Sequence, residues 1–343
     1  MTVLGLRARG HRAVLVAHRE GELFRRASEG PDLLPLAPVN EVDLATAWKL
    51  SKIIRQWKPE IVHAHDPHAV SMAGLALSFG APDPRPKLIA SRRVDFHLQS
   101  HTFSQWKYRQ MDGFIAASHA IKDILVADGI PSGRIEVLHD GIDVEKIQHR
   151  PVIDLHAEYW LPHGVPVIVN VGALTGHKGQ KYLIDAMPMV LREVPDAHLV
   201  IFGEGDLRGP LEKQIKQLSL GKRVLLPGFR EDVMSLMKSA DLFVMSSVTE
   251  GLGSAVLDAM AMGHAVVGTK AGGIPEAVIQ DETGLLVEPA DAKALAAAIA
   301  RLLKDASLRK QFGEAGRARV AEHFGVDRLV EGTLEVYRKI AAR

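Results

Sequence analysis

Short apolar runs rich in valine and isoleucine alternate along the chain with longer segments of helical period. In the first part the runs Ala13–Ala17, Ile61–His63, Lys87–Ala90, Gly113–Ala116 and Ile135–Leu138 read as strands. In the second part the strands are Pro166–Val171, His198–Phe202, Val224–Leu226, Leu242–Met245, Ala265–Gly268 and Gly284–Val287. Most are apolar at nearly every position, as parallel strands covered on both faces require. Helical spacing separates them, for example over Tyr182–Arg192 and Ala292–Leu303, so the pattern predicts βαβ units. Two such series predict an α/β protein of two doubly wound domains, residues 1–150 and 151–325. Arg150–Val165 carries Pro151, Pro162 and Gly164 with no clear period and reads as the linker. The tail after Asp291 is mostly helical and ends in a helix over 326–343.

The start of the chain departs from this grammar. Thr2–Arg9 reads as the end of a helix stopped at Gly10-His11, and the first strand follows only at Ala13. A doubly wound domain ordinarily opens with a strand and a Gly-rich turn, so the pattern predicts an N-terminal domain without its leading strand.

Composition narrows the classes. The 343 residues are 47% hydrophobic and 24% charged, with a formal net charge of +1. No concentrated basic stripe with aromatics appears, so a nucleic-acid partner is not expected. The absence of cysteine excludes disulfides, thiolate metal sites and cysteine nucleophiles, and it fits a cytoplasmic setting. No apolar run reaches the roughly 18 residues of a spanning helix. Arg7, Arg9, Arg12, Arg25 and Arg26 could touch anionic lipid at the inner face of a membrane; a solvated face explains them equally.

The most informative stretch runs from Ser246 to Gly263. A strand leads into Thr249-Glu250-Gly251-Leu252-Gly253, and a helix begins near Ser254. Free backbone N–H groups and the positive end of a helix dipole then sit at a sheet's carboxyl edge, where anions and nucleotides bind. Glu250 precedes the helix and Asp258 lies about one turn into it. A diphosphate there would put Glu250 near a sugar and Asp258 near a ribose, since a carboxylate accepts hydroxyl hydrogen bonds. The plain alternative is an ordinary strand–turn–helix with surface acids. Lys178, in the loop Gly172–Gly179, could meet a phosphate as a point charge. Gly203-Glu204-Gly205 allows close backbone approach. Gly272-Gly273-Ile274-Pro275-Glu276 is explained by helix-capping grammar alone. In the first part Arg92 and Arg93 follow a strand and could hold an anionic acceptor bidentately. His63 and His65 share a face by strand alternation, and His65 is the candidate catalytic residue of the pair.

Taken together, Gly172…Lys178-Gly179, Gly203-Glu204-Gly205, Gly228-Phe229, Glu250-Gly251…Asp258 and Gly272–Glu276 resemble the family 4 glycosyltransferases in order and spacing. The likeness spans about residues 165–290. It is looser in the first half, at Gly10-His11, Ile61–His65, Ala117-Ser118 and Asp140–Asp143. It implies the GT-B fold, two Rossmann-like domains with a cleft between them and a last helix crossing back to the first. It also implies retaining transfer from a nucleoside-diphosphate sugar, with no cofactor and no metal. On this likeness the donor would meet Gly172, Lys178, Gly203, Gly205, Phe229, Glu250, Gly251, Leu252, Gly253, Ser254 and Asp258. The acceptor, a cell-envelope glycolipid or polysaccharide, would meet the first domain. Two positions depart from the family: Asp258 stands where Glu is usual, and Ala173 where Arg is usual. These departures keep open a weakly active or non-catalytic sugar-nucleotide binder, and a GT-B epimerase is the enzymatic alternative.

Overall fold

Runs of valine, isoleucine and leucine form parallel strands throughout, because both of their faces need cover. The computed structural model describes residues 1–27, 32–99 and 101–343. They divide into two units, Met1–Gly141 with Val326–Arg343, and Ile142–Gly325.

In the first unit β1 (Leu15–Ala17) and β2 (Leu33–Pro35) pair only with each other. A second sheet runs in sequence order through β3 (Ile61–Ala64), β4 (Lys87–Arg92), β5 (Gly113–Ala116) and β6 (Ile135–Val137), all parallel. Helices Leu44–Trp57 and Pro67–Ser78 start on Asp43 and Asp66, whose carboxylates accept backbone N–H groups and cap them. Ala47, Leu50 and Ile54 of the first helix pack on Met72 and Ala76 of the second. The C-terminal helix Val326–Ala341 presents apolar residues at helical spacing and sets Val336 and Ile340 against Ile89 and Ile115. Gly113 and Gly332 permit that approach. A Cβ on Gly113 would come within 2.4 Å of Ile340, and one on Gly332 within 2.5 Å of Leu138.

The second unit holds β7 (Val167–Val171), β8 (His198–Phe202), β9 (Val224–Gly228), β10 (Leu242–Met245), β11 (Val266–Thr269) and β12 (Gly284–Val287). They form one parallel sheet in the order β12-β11-β10-β7-β8-β9. The order reverses between β7 and β10, the point at which a doubly wound sheet opens a crevice at its carboxyl edge. Helices Gln180–Glu193 and Ala292–Lys304 cover one face, and Ser254–Met262 covers the other.

Three sequence expectations are corrected. Arg150–Val165 is not a free linker: it contains the helix Leu155–Glu158, and Leu155 and Leu161 belong to the second unit's core. The units exchange at Gly141/Ile142 rather than at residue 150, because Ile142 and Ile147 are buried in that same core. Leu33–Pro35 is a strand that the pattern did not reveal, being three residues long and ended by proline. Among the described residues no helix is long and apolar enough to cross a membrane.

Candidate functional site

The loops after β7 and β10 flank the reversal point, and they bring Lys178 and Glu250 together. Lys178 Nζ donates to Glu250 Oε2 at 2.6 Å, with both side chains largely shielded. Ser247 Oγ donates to the same carboxylate oxygen at 3.0 Å. Thr269 Oγ1 in turn holds the Ser247 carbonyl at 2.6 Å. The two loops are also joined through their backbones: the Val248 amide donates to the His177 carbonyl at 2.7 Å, and Ser246 Oγ donates to the Lys178 carbonyl at 3.1 Å. Gly179, at φ +64°, leaves no room for a Cβ, which would fall 2.0 Å from the Ser246 carbonyl.

Directly after Glu250, Gly251 and Leu252 lead to Gly253, which begins the helix Ser254–Met262 in a left-handed conformation (φ +85°). Among the described residues no side chain caps this helix start, and no acid lies in its first turn. An uncapped helix start presents backbone N–H groups and a partial positive charge. Asp258 lies one turn beyond Ser254 on the partly exposed side of the helix. Desolvation raises its pKa from 3.8 to about 6, opposed by the Arg150 guanidinium. Its carboxylate makes no hydrogen bond among the described residues.

The glycines divide by role. A Cβ on Gly272 would lie 1.6 Å from the Glu250 carbonyl, and the Gly273 amide donates to that carbonyl at 3.3 Å. Gly272-Gly273 therefore seats Glu250, beyond the capping that the sequence suggested. Cβ atoms on Gly203 and Gly205 would strike the Gly172 and Leu174 carbonyls at 2.0 and 2.5 Å. What these two approach closely is the neighbouring loop backbone. Gly172 has ordinary clearance against the stem of Lys178. Phe229, beyond β9, is 71% exposed.

Two buried amides that sequence reasoning missed support this floor. Asn170 Nδ2 donates to the Val244 carbonyl at 2.8 Å, tying β7 to β10. Gln180 Nε2 donates to the Ala173 carbonyl at 3.0 Å, bracing the Lys178 loop. The oxygens of both amides are buried and have no partner among the described residues.

In the first unit a second group gathers at the ends of β3 and β4. His63 Nδ1 is 2.7 Å from Tyr337 Oη, and its Nε2 is 2.8 Å from Ser91 Oγ. Enclosure, with His65 and Arg93 nearby, holds the His63 pKa well below its usual value. His65 lies against it with ring centroids 4.1 Å apart and the ring planes tilted by 33°, so the two share a face. His65 keeps surface exposure, yet desolvation by the atoms around it, then the Arg93 guanidinium, lower its pKa to about 4. Arg93 pairs with Asp140 at 2.7 Å, and Arg92 donates to the Phe96 carbonyl while its Nε is buried without a partner. His63, His65, Ser91, Arg92, Arg93 and Asp140 line a cavity of ≈ 10 Å³, room for about one water. The arginines read as a lipid-facing cluster are engaged within the unit. Arg9 pairs with Asp327, Arg25 and Arg26 with Glu22, Arg7 holds the Ala13 carbonyl, and Arg12 lies over Trp57.

Comparison with known proteins decides the family. Residues 2–146 match the family described as Glycosyltransferase Family 4, and residues 153–319 match Glycosyl transferases group 1. The chain is a family 4 glycosyltransferase. It is 27% identical over 303 residues to the N-acetyl-alpha-D-glucosaminyl L-malate synthase of Bacillus anthracis, covering 86% of this chain and 78% of that one. Among solved structures, a glycosyltransferase from Rickettsia africae ESF-5 superposes with a TM-score of 0.85 at 21% identity, over 99% of this chain and 93% of the other. Anabaena Alr3699/HepE, in complex with UDP and glucose, gives 0.84 at 21% identity, over 98% and 94%. These superpositions show that the glycosyltransferase has the GT-B fold, with two Rossmann-like domains.

The signals that would have found its missed residues are faint. Gln180 follows the Lys178-Gly179 pair directly, and Asn170 is the one polar residue in an apolar strand run. Tyr337 and Ser91 carry no local mark at all.

Proposed function

We propose that the enzyme transfers a sugar, with retention, from a uridine-diphosphate sugar held by the second unit to a hydroxyl of an anionic saccharide or glycolipid met by the first. The observation that carries this reading is the Lys178–Glu250 pair beside an uncapped helix start at the sheet reversal. Lys178 and the amides at Leu252–Ser254 face the diphosphate, and Glu250 accepts hydroxyls of the transferred sugar. Asp258 accepts those of the ribose, and Phe229 offers a face to the base. In the reaction the bond from the anomeric carbon to the diphosphate breaks and a bond to the acceptor oxygen forms. The acceptor proton passes to a diphosphate oxygen on the same face. Negative charge develops on the leaving group, so preorganised donors there do most of the catalysis. No glycosidase-like carboxylate pair is needed. His65, Arg92 and Arg93 orient the acceptor, which must compete with the Arg93–Asp140 and Arg92–Phe96 contacts.

UDP as a specific partner is supported by the complexes of Anabaena Alr3699/HepE. The test is a thermal-shift panel of UDP, GDP, ADP and CMP. UDP at about 100 times its dissociation constant should stabilise by roughly 2.7 kcal/mol. A shift with another nucleotide and none with UDP would overturn the base assignment.

A further inference from the structure

Tyr337 lies on the C-terminal helix between two small apolar clusters, one of Ile89, Ile115, Val336 and Ile340, the other of Leu6, Val330 and Leu334. Its ring is packed and its hydroxyl is aimed at His63 Nδ1, while the far nitrogen of the same imidazole meets Ser91 Oγ. Enclosure keeps His63 neutral. A neutral imidazole has one donor and one acceptor nitrogen. The chain therefore runs in one of two senses. Either Tyr337 donates to Nδ1 and Nε2–H donates to Ser91, or Ser91 donates to Nε2 and Nδ1–H donates to Tyr337. In both, the hydrogen bond at one nitrogen fixes the proton on the other, and the ring is held from both ends. The His65 ring lies against this ring at a 33° tilt, and Tyr337 meets the His63 ring in a T-shaped contact at 5.6 Å and 82°. Ser91, the other end of the chain, directly precedes Arg92, the last residue of β4, and Arg93 just beyond it.

We propose that Tyr337 is a positioning residue: through His63 and Ser91 its hydroxyl fixes the ring of His65 and the strand end that carries Arg92 and Arg93. The proposal rests on the reading that this cluster serves the acceptor. Phenylalanine would fill the same space, so a packing role alone would not need the hydroxyl.

The test is Tyr337→Phe in the full chain, followed by NMR of the histidine ring nitrogens and by turnover of UDP-glucose. Loss of the hydroxyl should mix the two His63 tautomers and shift or broaden the His65 resonances. Turnover should fall roughly tenfold, as expected when a reacting group is misaligned, with the KM for the donor unchanged. Ser91→Ala, cutting the chain at its other end, should alter the same resonances, and the double variant should lose no more than either single one. His63 and His65 spectra identical to those of the natural protein in both variants would overturn the proposal. His65→Ala separates the two ideas. If it keeps natural turnover while Tyr337→Phe moves the His65 spectrum, the positioning stands and the acceptor reading falls. If it loses turnover while Tyr337→Phe changes nothing, the reverse holds.

Discussion

Lys178 and Glu250 neutralise each other at 2.6 Å in a shielded pocket, so neither can be altered independently of the other. Lys178→Ala leaves the Glu250 carboxylate, among the described residues, to Ser247 and removes the donor proposed to face the leaving group. Turnover is expected to fall by about 2–3 orders of magnitude. A cycle with Glu250→Gln should show strong non-additivity in steady-state rates, and additive losses would show that the two do not act as a unit. Asp258 makes a different prediction. Its pKa is raised to about 6 by desolvation, so the fold favours the protonated acid. The stability this contributes is complete below the unfolded value of 3.8 and is lost as pH rises through about 6. Asp258→Asn should therefore melt increasingly above the natural protein between about pH 4 and pH 7. On the role proposed for Asp258 the ribose meets the ionised form, so the same variant should bind UDP more weakly at neutral pH. Melting curves that stay parallel across that range, with unchanged calorimetric affinity, would contradict both halves.

Elements and their joints show a further layer, in which glycines decide how closely loops approach. Gly272 has φ +50° and no space for a Cβ beside the Glu250 carbonyl. Gly272→Ala should lower the melting temperature and cut sugar transfer far more than it weakens UDP, because the displaced Glu250 is the residue proposed to meet the transferred sugar. Gly209→Ala, with open space around it, should change stability by no more than about 1 kcal/mol. Natural turnover in Gly272→Ala would show that this contact does not seat Glu250. Such contacts mark the limit of sequence reading. The strands His198–Phe202, Leu242–Met245 and Gly284–Val287 were legible to the residue, because a buried parallel strand must be apolar on both faces. The pairing of Lys178 with Glu250 was half legible. Each was singled out in its own loop, but 72 positions separate them and only the sheet order brings them together. Leu33–Pro35 and the docked helix Leu155–Glu158 were not legible, since the strand is closed by its proline after two apolar residues and the helix is a single turn with no repeat of its period. The chain Tyr337–His63–Ser91 was invisible for a similar reason, its members lying on elements far apart in sequence.

At the scale of the whole molecule, one unit is continuous in sequence and the other is closed by the last eighteen residues of the chain, Val326–Arg343. The C-terminal helix buries Leu329, Val330, Leu334, Val336 and Ile340. At roughly 1.5–3 kcal/mol per side chain, their burial amounts to about 7–15 kcal/mol. That is comparable to the entire stability of an ordinary domain, about 5–15 kcal/mol. Ending the chain at Gly325 should therefore unfold the first unit, exposing Ile89 and Ile115 and stripping His63 of its Tyr337 partner. The second unit should be indifferent to this loss. Its two core clusters draw only on residues 142–325, and Val320 and Phe324 complete them before the cut. Limited proteolysis of the shortened chain should digest residues 1–141 and leave a resistant fragment beginning near Ile142. That fragment should still bind UDP with the affinity of the intact enzyme, since Lys178, Glu250 and Asp258 all lie within it, yet it should transfer no sugar. A shortened chain whose first unit resists protease as well as the full protein does would show that this unit folds without the helix. The energetic weight assigned here to those five side chains would then be wrong.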